Sequence, residues 1–181
     1  MPGSAIEQPL GKIMRTLTFA ATKHRDQRRK DAEASPYINH PIALATILAN
    51  EVGIIDPVVI CAALLHDTIE DTKTTAKEIE QQFGHEIAAI VLELTDDKSL
   101  KKDERKQLQI DHAAHASEKA RLVKLADKIA NLRDIAASPP KGWNVERQRE
   151  YFDWATRVVD QMRGTHPALE ALFDAAARAR P

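Results

Sequence analysis

Between Val58 and Leu65 the chain runs through eight residues without a charge, then turns acidic at once in His66-Asp67-Thr68-Ile69-Glu70-Asp71-Thr72. A helix that is apolar on every side belongs at the centre of a fold. The acidic segment after it is its chemical opposite. Were the helix to continue one more turn, Asp67, Glu70 and Asp71 would stand at i, i+3 and i+4, share a face and repel one another. No basic residue arrives before Lys73. Carboxylates gathered at the end of a buried segment raise one another's pKa and destabilise the fold unless a cation or hydrogen-bond donors offset the repulsion. A divalent metal would supply that charge, and His66 beside Asp67 offers two ligands for it. Taken alone, the dipeptide fits better a helix end closed by Asp67 and Asp71 with His66 as a satisfied core histidine, so the remaining chain has to decide.

The 181 residues suffice for one substantial core and are few for two independent catalytic domains, so residues 1–181 are expected to form a single domain. With 26 basic against 27 acidic residues there is no global polyanion-binding field; a nucleic-acid partner is not expected, and any basic site must be local. The one cysteine, Cys61, lies inside the apolar run, which leaves no intramolecular disulfide framework and suits a reducing compartment. No apolar run approaches the ~20 residues of a membrane helix. The start, Met1 to Ala5, lacks the pattern of a signal peptide. A cytoplasmic protein without a membrane partner is expected, whether monomer or homo-oligomer being undetermined.

Helical spacing dominates and no alternating strand stands out, so the expected fold class is all-α, with about 8–10 helices. The first helix should span Pro9 to His24, with Ile13, Leu17 and Ala20/Ala21 inward, and end in a cationic cluster that includes Arg28, Arg29 and Lys30. On the residues alone, such cations complement a helix C-terminus and face water. After a loop over residues 31–37, Asn39 should cap a second helix with Pro41 in its first turn and Ile42, Ala45, Leu48 and Ala49 on one face, leaving His40 at its mouth. Asp56-Pro57 launches the central helix. Thr75 to Glu78 has the form of a capping box, and Gly84 should close the helix it opens. Helices come next over about 85–95, 102–116 (charged and solvated), 117–136, 144–163 and 167–178. Asp127 and Asn131 lie one turn apart on the helix over 117–136, beside its apolar stripe, where Lys124 or Lys128 could be the ordinary partner of a half-buried Asp. His112 and His115 sit on so polar a surface that no ligand role is read into them.

His40, the His66-Asp67 pair, Asp127 and the surplus acids Glu70 and Asp71 need one explanation. Two histidines and two carboxylates form a nitrogen and oxygen shell without thiolate, which suits Mn²⁺, Fe²⁺ or Zn²⁺. These positions resemble the HD-domain metal-dependent phosphohydrolases, an all-α superfamily. The segments Tyr37-Ile38-Asn39-His40-Pro41, Ala63 to Thr72 and Lys124 to Leu132 are similar, more closely, to the hydrolase domain of RelA/SpoT proteins, and so are Arg28-Arg29-Lys30-Asp31 and Thr95-Asp96-Asp97-Lys98. The likeness covers about Thr18 to Gly164. Within that family the chain looks like a stand-alone small alarmone hydrolase of the kind represented by the metazoan SpoT homologue.

The resemblance implies hydrolysis of the 3′-diphosphate of guanosine tetra- or pentaphosphate (ppGpp or pppGpp) to pyrophosphate and GDP or GTP, with Mn²⁺ as the usual metal and Zn²⁺ or Fe²⁺ as alternatives. It assigns His40, His66, Asp67 and Asp127 as metal ligands, and Glu70 and Asp71 as the groups that orient and deprotonate water or protonate the leaving 3′-oxygen. It also reverses the ordinary reading of the basic loop: Arg29 would stack on guanine, Asn131 and Tyr151 would line the nucleoside pocket, and Lys30, Lys102 and Arg147 would meet phosphates. Two alternatives stay open, removal of the 2′-phosphate of NADPH and alarmone binding without catalysis. An acid/base pair is of no use to a mere binder.

Overall fold

The computed structural model describes residues 8–181, so the start, where a signal peptide would stand, lies outside the described residues. Among these residues the elements are ten α-helices: α1 Pro9–Lys23, α2 Asn39–Thr46, α3 Pro57–Leu65, α4 Thr68–Asp71, α5 Ala76–Phe83, α6 His85–Leu94, α7 Lys102–Ala113, α8 Glu118–Ala137, α9 Val145–Asp160 and α10 Pro167–Ala177. A π-helical turn, Ile47–Glu51, extends α2. The all-α class and the number of helices agree with the sequence reading.

The uncharged helix α3 is the axle. Asp56 accepts a hydrogen bond from the Val58 N–H at 2.8 Å, Pro57 occupies the first turn, and every residue from Val59 to Leu65 is buried. Four helices, α1, α2, α6 and α8, pack around it. Burying α3 on all sides is what its lack of a polar face requires. Of the remaining helices, α5 packs on α6, α10 on α8, and α7 on α9. Between α5 and α6 the chain reverses at Gly84, whose φ of 99° is open to glycine and strained for other residues. Ser117, Asn144 and His166 accept N–H bonds at the starts of α8, α9 and α10.

Helix α2 departs from the expectation in phase. Ile38 already has helical φ and ψ, so Asn39 is the first residue of the helix and not its cap. The buried face runs through His40, Leu44, Ile47 and Leu48, while Ile42 is exposed. Spacings of four, seven and eight residues from His40 mean that the inward stripe itself carries the histidine into the core. Thr75 does cap α5, but Glu78 closes no box with it; its carboxylate pairs with Lys23 of α1 at 2.9 Å. The acidic turn after α3 does not prolong that helix either, since Leu65 ends it and α4 restarts at Thr68.

Leu65, fully buried at the site end of α3, should be costly to truncate. Leu65→Ala is expected to destabilise by about 2–5 kcal/mol in urea unfolding, against roughly 0.5 kcal/mol or less for the exposed Leu10→Ala.

Candidate metal centre and nucleotide cavity

The break after α3 shapes the site. Thr68 Oγ1 donates to the Leu65 carbonyl at 2.7 Å, and His66 Nδ1 donates to the Ala63 carbonyl at 2.8 Å. With a proton committed at Nδ1, the His66 ring presents Nε2 to Asp67, whose Oδ2 is 2.9 Å away. His40 enters from α2, its ring centroid 5.2 Å from that of His66. One ligand atom from each of His40, His66 and Asp67 falls within 4.8 Å of the others. Asp127 of α8 is not among the three residues that meet this spacing; it adjoins them through His40, its Oδ1 at 3.1 Å from His40 Nε2.

Asp67 is held by a donor from the loop before α2, and Asp127 by donors of its own helix. The Tyr37 hydroxyl donates to Asp67 Oδ2. Asn131 Nδ2 donates to Asp127 Oδ1 at 2.7 Å, and Lys128 Nζ donates to Asp127 Oδ2 at 3.0 Å. Burial alone would raise both carboxyls, but the facing imidazoles and, at Asp127, Lys128 hold them below the ordinary range. Burial would likewise lower His66, yet Asp67 beside it raises it to about 9. His40 goes the other way, because burial lowers it by more than Asp127 lifts it. His66 Nε2 is buried and makes no hydrogen bond, despite the carboxylate oxygen near it. A buried Nε2 at which a cation could take the place of a proton, among two imidazoles and two carboxylates from three distant segments, fits a divalent cation of the borderline or hard kind.

Glu70 and Asp71 stand beside this group without joining it. Glu70 accepts from the Asp96 N–H at 3.3 Å, with Arg105 3.7 Å away. Burial, and then the negative charge of Asp67, raise Glu70 to about 7. Asp71 accepts from Gln27 Nε2 at 2.9 Å on one oxygen and from Lys98 on the other.

Above the cluster lies a cavity of about 670 Å³, with Arg29, Lys30, His40, Asp71, Asn131 and Tyr151 in its wall. The Arg29 guanidinium bonds Asp134 at 2.7 Å and reaches Asn131 at 3.4 Å. Burial keeps the Tyr151 phenol protonated by raising its pKa well above the usual value. Lys102 and Arg147 do not line this cavity. They lie in an adjoining groove of about 480 Å³, which shares Lys30, Trp143 and Tyr151 with it. The Lys141 N–H donates to the Lys30 carbonyl at 2.9 Å, tying the basic loop to the turn before α9.

Of the two partners expected for Asp127, Lys128 is the one that pairs with it. The sequence reading missed Tyr37, Gln27, Arg105 and Trp143, of which Tyr37 has a signal in its place three residues before His40. Gln27 and Arg105 reach the site only through tertiary packing, and their spacing carries no sign of it.

The chain matches the HD domain family over residues 16–154. It is 56% identical over 162 residues, 90% of each chain, to a Xenopus tropicalis protein named guanosine-3′,5′-bis(diphosphate) 3′-pyrophosphohydrolase MESH1. The human protein of that name is 55% identical over 159 residues, 88% of this chain and 89% of its own. A solved structure described as a metazoan ortholog of SpoT that hydrolyses ppGpp superposes with a TM-score of 0.92 at 48% identity, covering 98% of each chain.

The raised Glu70 has a consequence for stability. Between about pH 4.5 and 7 the folded protein keeps a proton that the unfolded chain has released, so this group's contribution is lost as pH rises through that window. In chelator-treated protein, Glu70→Gln should therefore melt higher than the parent at about pH 8 and no higher at about pH 4. Equal melting temperatures at both would mean that Glu70 is not perturbed.

Proposed function

The chain belongs to the HD-domain family as a RelA/SpoT-type hydrolase, and we propose that it is a metal-dependent guanosine-3′,5′-bis(diphosphate) 3′-pyrophosphohydrolase. The observation that carries this reading is the convergence of His40, His66, Asp67 and Asp127 beneath a cavity walled by Arg29, Lys30, Asn131 and Tyr151. The single hydrophobic cluster that runs through all the larger helices supports treating the chain as one domain. The buried thiol of Cys61, which accepts a hydrogen bond from Thr16 Oγ1 at 3.3 Å, supports work in the cytoplasm.

Those four side chains would hold the cation, Mn²⁺ in this proposal with Zn²⁺ or Fe²⁺ as alternatives. Such a cation, when bound, supplies Lewis acidity to a phosphoryl oxygen and lowers the pKa of water. The remaining work falls to the protein. Tyr37, Asn131 and Lys128 keep the ligand carboxylates turned inward, which outer partners of a metal site generally do. Arg29 exchanges its contact with Asp134 for the purine face, a guanidinium plane being suited to stacking on a base. Lys30, with Lys102 and Arg147 in the adjoining groove, neutralises phosphate charge. Glu70 and Asp71 orient the attacking water and take its proton; the water oxygen bonds to the phosphorus as its bond to the 3′-oxygen breaks, and that oxygen regains a proton. A pKa of about 7 lets Glu70 both accept and return a proton near neutrality.

Incubating the manganese-loaded protein with ppGpp is expected to release pyrophosphate and GDP. Orthophosphate from NADPH with no reaction of ppGpp would replace this reading, and tight nucleotide binding without turnover would make the protein a binder. Asp127→Ala should lose metal and activity together. Glu70→Gln should retain metal in elemental analysis and lose kcat by roughly 10²–10⁴-fold.

A further inference from the structure

His24 is buried, at 2% exposure, at the end of α1, and no step of the proposed hydrolysis uses it. Its Nδ1 lies 2.6 Å from Gln27 Oε1, and Gln27 Nε2 lies 2.9 Å from Asp71 Oδ2. We infer that His24 is a positioning residue, which through Gln27 fixes the orientation of the Asp71 carboxylate. The inference rests on the reading that Asp71 acts in hydrolysis.

The chemistry of the three groups leaves one consistent arrangement. An ionised carboxylate only accepts hydrogen bonds, so Gln27 must present its NH₂ to Asp71 and its carbonyl oxygen to His24. Nδ1 of His24 must then carry a proton. With the proton on Nε2 instead, a lone pair would face the Gln27 oxygen at hydrogen-bond distance. The amide would turn over and set an oxygen against Asp71. Burial favours the first arrangement, because Nε2 has no hydrogen-bond partner and an N–H there would be a stranded donor.

The backbone makes the relay rigid. The Gln27 N–H donates to the His24 carbonyl at 2.9 Å, and the Tyr37 N–H donates to the Gln27 carbonyl at 3.1 Å. The His24 ring lies against Tyr37 with centroids 4.8 Å apart, which closes the space into which either side chain could rotate. By contrast Lys98, the other partner of Asp71, is half exposed on a loop. Gln27 is thus the fixed support of Asp71, and His24 fixes Gln27.

Two substitutions that fill similar space separate this role from packing. The amide nitrogen of Asn can occupy the place of Nδ1, and that of Gln the place of Nε2. His24→Asn is expected to keep kcat within about twofold, whereas His24→Gln loses roughly tenfold in kcat with KM, metal content and melting temperature unchanged. In a Gln27→Leu background the two variants should be equally active. Nitrogen-15 spectra of the parent protein should show the Nδ1–H tautomer at His24, a readout independent of activity and of the variants' folding. Equal kcat of the two variants in the parent background, a difference that survives Gln27→Leu, or an Nε2–H tautomer would each overturn the relay. Unchanged turnover in Asp71→Asn would instead overturn the reading on which it rests.

Discussion

The structure depends on holding acids at the end of a helix that tolerates none. Helix α3 is apolar around its whole circumference, so the segment leaving its C-terminus emerges from the core and its acids stay half-buried. The residues that emerge there are His66, Asp67, Glu70 and Asp71. Buried carboxylates persist only where donors or cations meet them. Here Tyr37 meets Asp67, the Asp96 N–H meets Glu70, Gln27 and Lys98 meet Asp71, and Asn131 and Lys128 meet Asp127. These donors come from the loops after α1 and α6 and from α8. The packing of the helices and the order of the site are therefore one problem with one solution.

The parts of this solution that local chemistry decides are legible in the sequence. Asp56-Pro57, Thr75, Gly84, Ser117 and Asn144 mark helix ends because each satisfies or interrupts backbone groups within a few residues of itself, and the structure has ends there. The phase of α2 is not legible, because Ile42 and Ala45 are as apolar as Leu44 and Ile47, and composition alone does not say which face is buried. The deciding fact is His40, which shares the inward face. Adjacency in the chain marks His66 with Asp67 as a unit, and the structure supplies the reason that they act as one: the Nδ1 proton is spent on Ala63, which turns Nε2 toward the carboxylate. The split of the cationic residues between two cavities has no sequence signal, since Lys30 and Lys102 meet only through the folding of α7 against α9.

Charge distribution obeys the same logic. The chain is nearly neutral as a whole, yet along one groove the cations Lys30, Lys102, Arg105, Lys106 and Arg147 outnumber the acids Asp96, Glu146 and Glu150. Near-zero net charge and a strongly polarised site are compatible because the field that matters acts over a Debye length of about 8–10 Å.

The backbone bond from Lys141 to Lys30 limits how the cleft can breathe. It stitches the loop bearing Arg29 to the turn bearing Trp143, so separating these two segments of the rim would cost a backbone hydrogen bond. Admission of a guest then depends on the swivelling of terminal guanidinium and ammonium groups around the rim. This is a fast, small-amplitude motion, and a slow hinged lid is not needed.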